Sequence, residues 1–353
     1  MEFGMLHLFE NPVNKTEREI IKEQMELMLV AESLGFDSTW PAEHHFSEYG
    51  FCGSPQLTLA AIAERTSRIR LGTGVVVLPF HHPLRVAEDF AFLDHLSDGR
   101  VSLGVGRGYQ PIEYNGFGVD QTASREIFNE GVAIIRQAWT QDRVNFKGKH
   151  YQIDDLEVRP HPFQKPTPPM YSAVLSPESF RMAGQSGMNL MMSAAFGATP
   201  ENAQKGIVEY RDGRKDAGLD PQGGKIACLL MVYVADSTDR ARKEFKEPVE
   251  WYYRTIAKYI AQKDKVVKGY EMYSQTKDLA SNITFEALLG GTAMVCGDVD
   301  HCAERLDALA TDYGFDELLI WTRLGGLDTK KVLRSMELLS DEVMPKVRKL
   351  RSS

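Results

Sequence analysis

The chain has little that would send it to a membrane, an oxidising compartment or a nucleic acid. Its four cysteines, Cys52, Cys228, Cys296 and Cys302, are scattered and form no Cys-x-x-Cys pair. That argues against a disulfide framework or a zinc knuckle, so no metal site is expected and a reducing cytoplasm fits. No apolar run reaches the ~18 residues that a membrane span requires. The start, Met1-Glu2-Phe3-Gly4-Met5-Leu6, enters a strand-like run without a basic region ahead of it, so no secretory leader is expected. Positive charge is not in excess. The formal net charge is -8 over 353 residues, which speaks against nucleic acid and anionic membranes as main partners, although mild acidity serves solubility equally well. The patterns Gly-x-x-x-x-Gly-Lys-Ser/Thr, Gly-x-Ser-x-Gly and His-Glu-x-x-His are missing. The chain therefore does not advertise an NTPase, a serine hydrolase or a zincin. No internal repeat recurs at a fixed period.

What is present is alternation. Short apolar runs at Phe3–Leu8, Asp37–Trp40, Ile69–Val77, Val101–Val105, Met170–Ala173, Asn189–Met192, Lys225–Val234 and Glu317–Trp321 read as strands. Between them lie longer amphipathic stretches, among them Thr16–Leu34, Leu84–Leu96, Ser124–Trp139, Pro200–Ala217, Thr238–Ala261, Val299–Tyr313 and Thr329–Lys346. Eight strands alternating with helices predict a (β/α)8 TIM barrel, as one domain over residues 1–353. The competing doubly wound sheet should carry a glycine-rich loop after its first strand, where this chain has Glu10-Asn11-Pro12. Two segments break the rhythm. The proline-rich residues 142–169 read as a long connection with short strands of their own, near 144–146 and 150–153. Residues 262–291 read either as a mobile lid on the active face or as a packed excursion or oligomer contact.

Barrel enzymes place reactive groups after the carboxyl ends of their strands. Glu43, His44 and His45 follow the second strand here, Gly74 and Val75 end the third, and Gly106 and Arg107 follow the fourth. Leu175, Ser176 and Ser179 follow the fifth, and Ser193 the sixth. Adjacent residues in extended chain point to opposite sides, so one imidazole of the pair faces the mouth and the other packs away. A single His there is an acid/base candidate because it titrates near neutrality. Arg107, between two glycines, suits a phosphate or other oxyanion, the plainer alternative being a salt bridge to a helix carboxylate. Ser176-Pro177-Glu178-Ser179 reads as a helix start whose free N–H groups could also meet a phosphate, with simple capping as the alternative and Glu178 as a competing charge. His81-His82-Pro83 reads as a helix-entry turn.

These residues resemble the bacterial luciferase-like group of flavin-dependent monooxygenases over nearly the whole chain. The likeness rests on Met1-Glu2-Phe3-Gly4, on Glu43-His44-His45-Phe46-Ser47-Glu48-Tyr49-Gly50, and on Leu71-Gly72-Thr73 with Val77-Leu78-Pro79. It continues in His82-Pro83-Leu84-Arg85-Val86-Ala87-Glu88-Asp89, Ser97-Asp98-Gly99-Arg100, Arg107-Gly108 and Val343-Met344-Pro345. The resemblance implies reduced FMN at the barrel mouth and dioxygen as co-substrate. It implies a C4a-peroxyflavin that oxygenates a small organic substrate, and a separate NAD(P)H-dependent flavin reductase that supplies the reduced flavin. By position it makes His44 the catalytic histidine, with Glu43 beside it, and Arg107 and Ser176 phosphate contacts. Gly74-Val75 becomes a dipeptide beneath the flavin ring joined by a non-proline cis bond. Gly106, Leu175, Ser179 and Ser193 complete the cofactor-binding set.

Departures from luciferase bear on the substrate. Gly106 replaces a reactive cysteine, which should open space in the pocket, and Leu175 replaces a carboxylate near the phosphate. Tyr109-Gln110 and Ala194-Ala195 also differ, so light emission with a long-chain aldehyde is not implied. Two rivals share the fold. One is a non-catalytic scaffold like luciferase's second subunit, which lacks the first histidine of Glu-His-His-Phe; this chain keeps it. The other is a deazaflavin F420-dependent oxidoreductase, against which the Glu-His-His-Phe block speaks. By analogy a homodimer is expected, with Gly50–Ala63 and Arg85–Leu96 at its interface.

Overall fold

A computed structural model describes residues 1–196, 199–260, 267–271, 277, 280 and 283–351. Strands β1 (Glu2–His7), β2 (Ser38–Pro41), β3 (Arg70–Gly72), β4 (Val76–Val77) and β5 (Val101–Gly106) come first. A side hairpin, β6 (Val144–Lys147) and β7 (Gln152–Leu156), stands in the proline-rich connection. Strands β8 (Met170–Ala173), β9 (Asn189–Ser193), β10 (Ile226–Val234), β11 (Met294–Gly297) and β12 (Glu317–Trp321) follow. The parallel order β1-β2-β3-β5-β8-β9-β10-β12 closes on itself through β12 against β1. With β4 extending the third position, this is the predicted (β/α)8 barrel.

Side chains fill the barrel. Trp40 lies in its interior, and the wall must be thin around the indole. A Cβ on Gly72 would stand 2.2 Å from the Trp40 ring. Outside, amphipathic helices turn apolar faces inward. Helix α1 (Glu17–Ser33) buries Ile20, Leu27, Met28 and Ala31. Its start is a capping box in which Thr16 accepts from the Glu19 N–H and Glu19 accepts from the Thr16 N–H. Helix α2 (Pro55–Ala63) and helix α3 (Pro83–Leu96) cover the second and third strands. Arg323, just after β12, is buried and ion-paired to Glu10 at 2.8 Å and Glu23 at 3.1 Å, tying the last strand to the first strand–helix unit.

Four sequence expectations need correction. Ile69–Val77 is two strands interrupted by the Gly74–Val75 peptide, which is cis. Thr329–Lys346 is not one helix: Thr329–Leu338 passes through a wide turn at Leu339–Val343 into Met344–Leu350. Pro345 explains the break, because it has no N–H to continue the ladder across the turn. β11, parallel to the carboxyl half of β10, adds a strand beyond the eight that the alternation predicts. Ile21, inside the stretch Thr16–Leu34 read as amphipathic, lies off its buried face and is exposed. Part of the 262–291 segment lies outside the described residues. No helix among the described residues is long and apolar enough to cross a membrane.

Candidate active site

A cavity of about 300 Å³ opens at the carboxyl end of the barrel. Of the residues singled out from the strand ends, Glu43, His44, Gly74, Val75, Gly106, Arg107, Leu175, Ser176, Ser179 and Ser193 line it, whereas His45 does not and turns its ring to Glu43. Two ends of different character can be distinguished.

The histidine end is built from the turn after β2 and a short helix α4 (Pro111–Phe117). His44 faces the cavity, and its Nδ1 lies 2.9 Å from Glu113 Oε1. Glu113 is wholly buried, and the same oxygen accepts the His45 N–H at 2.9 Å. An Nδ1–H donated to that carboxylate leaves Nε2 as the nitrogen that can take a proton from the cavity. His44 also packs edge-on against Tyr49, ring centres 4.8 Å apart. Burial, then the neighbouring Tyr109 and Tyr252, push the Tyr49 phenol well above its ordinary range, so it remains an O–H.

Glu43 lines the same wall, but its carboxylate is committed. Oε1 is 2.9 Å from His45 Nε2 and 2.8 Å from His81 Nε2, and Oε2 accepts the Val77 N–H at 2.9 Å. Burial alone would raise this carboxyl; hydrogen bonds from His45 and His81, the His81 charge and the Val77 N–H outweigh it and hold it below its usual range. Burial would lower His81, yet its hydrogen bond and charge interaction with Glu43 raise it. His82 does cap α3, accepting the Leu84 N–H, as the helix-entry reading expects; the reach of His81 to Glu43 was not foreseen.

The phosphate end joins β5, the start of helix α5 (Ser124–Thr140) and the start of helix α6 (Pro177–Gln185). Ser176 caps α6 by accepting the Ser179 N–H at 3.3 Å, with Pro177 in the first turn, as read from sequence. The Leu175 N–H donates to Ser179 Oγ at 3.1 Å. Arg125, on the first turn of α5, reaches the cavity and pairs with Glu178. Glu178 is thereby occupied and does not reach Arg107. Among the described residues no carboxylate pairs with Arg107; its Nη2 donates to the Gly269 carbonyl at 3.3 Å. A guanidinium with no carboxylate partner among the described residues, near a helix N-terminus, has the chemistry to receive an anion. At the end of β9, next to β8, the buried Ser193 hydroxyl has no hydrogen-bond partner among the described residues, so it is free to meet a ligand.

Sequence reading missed Arg125, Glu113 and Tyr49. It also expected Gly106 to leave open space. Val75 takes that space instead: a Cβ on Gly106 would stand 2.7 Å from Val75 Cγ2.

A closed parallel barrel whose mouth gathers a carboxylate-held histidine and an arginine without a carboxylate partner among the described residues has the layout of an enzyme of the (β/α)8 class. Comparison with known proteins makes the class specific: the chain belongs to the luciferase-like monooxygenase family, whose model matches residues 1–317. It is 30% identical over 352 residues to the 4-hydroxyprotoasukamycin monooxygenase of Streptomyces nodosus subsp. asukaensis, covering 98% of this chain and 92% of that one. It is 28% identical over 349 residues to the oxygenase component of the flavin-dependent trigonelline monooxygenase of Acinetobacter baylyi, covering 98% and 95%. The solved structure of monooxygenase RslO1 from Streptomyces bottropensis superposes with a TM-score of 0.86 at 28% identity, covering 98% and 99%.

Proposed function

We propose that this protein is the oxygenase of a two-component system. It binds reduced FMN in the barrel-mouth cavity and, with dioxygen, oxygenates a small organic substrate. The reduced flavin comes from a separate NAD(P)H-dependent flavin reductase. Bound reduced FMN supplies the two electrons that allow one oxygen atom to enter the substrate while the other leaves as water. The observation that carries this reading is the pairing, in one cavity, of His44 held by Glu113 with Arg107, which has no carboxylate partner among the described residues.

The residues suit the mononucleotide. Arg107, Arg125 and the Ser176 helix start offer donors to a phosphate, and the orphaned Ser193 hydroxyl offers one further along the cavity. Gly74, Val75 and Gly106 form a wall with little side chain, suited to a flat ring. Leu175 and Ser179 shape the phosphate end. His44, through Nε2, accepts or returns the proton that moves during oxygen transfer. Glu113 holds its ring and tautomer, and Glu43 positions the segment through His45 and His81.

The exposed apolar side chains Leu57 on α2 and Phe92 on α3, 70% and 59% exposed, support a homodimer through those two helices. Light scattering during size exclusion checks it, a monomer mass opposing it. Four buried, unbridged cysteines fit a cytoplasmic protein.

The test is anaerobic titration with reduced FMN, followed by rapid mixing with oxygenated buffer while flavin absorbance is followed. Stoichiometric binding and a return of oxidised-flavin absorbance far slower than for free flavin support the oxygenase. No binding of reduced FMN, with binding of F420 instead, would replace it with a hydride-transfer enzyme; binding of neither would leave a scaffold subunit.

A further inference from the structure

We propose that Tyr270 is a positioning residue for the phosphate-binding Arg107, and that it sets the preference of the site for a phosphorylated flavin. The inference rests on the FMN reading above.

Residues 267–271 come back over the phosphate end of the cavity, where Gly269 and Glu271 line it. Tyr270 is buried there. Its hydroxyl donates to Ser124 Oγ at 2.9 Å and lies 3.0 Å from the Tyr114 hydroxyl. Tyr114 in turn donates to the Arg107 carbonyl, so the same cluster holds the backbone of the arginine. Above the Tyr270 ring stands the Arg107 guanidinium, 4.8 Å from its centre. The Gly269 carbonyl takes one guanidinium N–H.

The chemistry of these partners matters. An arginine side chain loses much freedom when it is held in one place, and a carboxylate is the usual partner that offsets this cost. A carboxylate would also cancel the charge and repel a phosphate. A ring face and a carbonyl orient the guanidinium without supplying a full negative charge. Nearby acids are otherwise engaged: Glu178 pairs with Arg125, and Glu271 accepts the Gly269 N–H at 3.0 and 2.9 Å. The arrangement presents a pre-oriented cation to a dianion, and the binding energy it supplies is realised only when the flavin carries its phosphate.

The experiment compares reduced FMN with reduced riboflavin in anaerobic calorimetric titrations of wild type, Tyr270→Leu and Tyr270→Phe. Wild type should bind FMN more tightly than riboflavin. Tyr270→Leu, which removes the ring face, should reduce the FMN-to-riboflavin affinity ratio about tenfold while leaving riboflavin affinity unchanged. Tyr270→Phe keeps the ring and should hold that ratio within about twofold of wild type. An unchanged ratio in Tyr270→Leu, or an equal fall in both affinities, would overturn the assignment. A wild type that binds the two flavins equally would instead overturn the placement of the FMN phosphate itself.

Discussion

The two ends of the cavity use charge in opposite ways. At the histidine end three imidazoles are claimed by buried carboxylates: His44 by Glu113, His45 and His81 by Glu43. At the other end, the proposed phosphate site, Glu178 pairs with Arg125, and among the described residues no carboxylate pairs with Arg107, which rests on a ring and a carbonyl. Under the proposed function, the difference follows from what each end has to do. A group that moves a proton needs a fixed ring and tautomer, and a buried carboxylate fixes both. A group that binds a dianion needs its charge intact, and a carboxylate would remove it.

Replacing His44 should have the largest effect on chemistry. His44→Ala is expected to lower product formed per reduced flavin consumed by about 10²- to 10⁴-fold, with the electrons appearing as hydrogen peroxide. An unchanged product yield would remove His44 from its role.

Next comes Glu43→Gln, which leaves two imidazoles and the Val77 N–H without their carboxylate. Stability should fall by about 3 kcal/mol in urea denaturation. The loss should depend on pH in a defined way. Glu43 is held below its ordinary 4.5, so its contribution is present above 4.5 and is lost as pH falls through the lower folded value. His81 is raised above its ordinary 6.5, so its contribution is full below 6.5 and is lost as pH rises through the higher folded value. The gap between wild type and Glu43→Gln should therefore be widest between those two ordinary values. A gap independent of pH would show that packing rather than charge is lost.

Ser176→Asp carries the logic of the histidine end into the phosphate end. Asp caps helices as well as Ser, so the fold should stand. Its charge beside Arg107 should weaken reduced FMN by about 100-fold in anaerobic titration. Wild-type affinity would mean that the phosphate sits elsewhere.

The smallest effect is expected from Glu113→Gln. It keeps a hydrogen-bonding partner for His44 and removes only the charge, so turnover should drop about tenfold with flavin affinity unchanged.

Much of this site was readable before any coordinates. The eight strands, the Ser176 cap and the ten lining residues come from local pattern and from the rule that barrels collect function at strand ends, with His45 the strand-end residue that turns away, while the cis Gly74–Val75 bond comes from the resemblance alone. What escaped depends on distance in space. Arg125 lies in the first turn of a helix that reads as ordinary amphipathic surface, and only the docking of α5 beside α6 brings it to Glu178 and the cavity. Glu113 could have been suspected. Pro111 in the first turn and Gly118 in the left-handed conformation at the end mark a short helix with Glu113 in its first turn. Whether its carboxylate turns to His44 or to solvent is a matter of packing. The Gly106 expectation failed for a similar reason, since a missing side chain opens space only if no neighbour fills it, and Val75 does.

The comparison between the two ends is tested most directly by one set of numbers: the affinity for reduced FMN of wild type, His44→Ala and Ser176→Asp under identical anaerobic conditions. The account predicts that His44→Ala stays within about threefold of wild type while Ser176→Asp falls by about 100-fold. Equal losses in both variants, or no loss in Ser176→Asp, would contradict it.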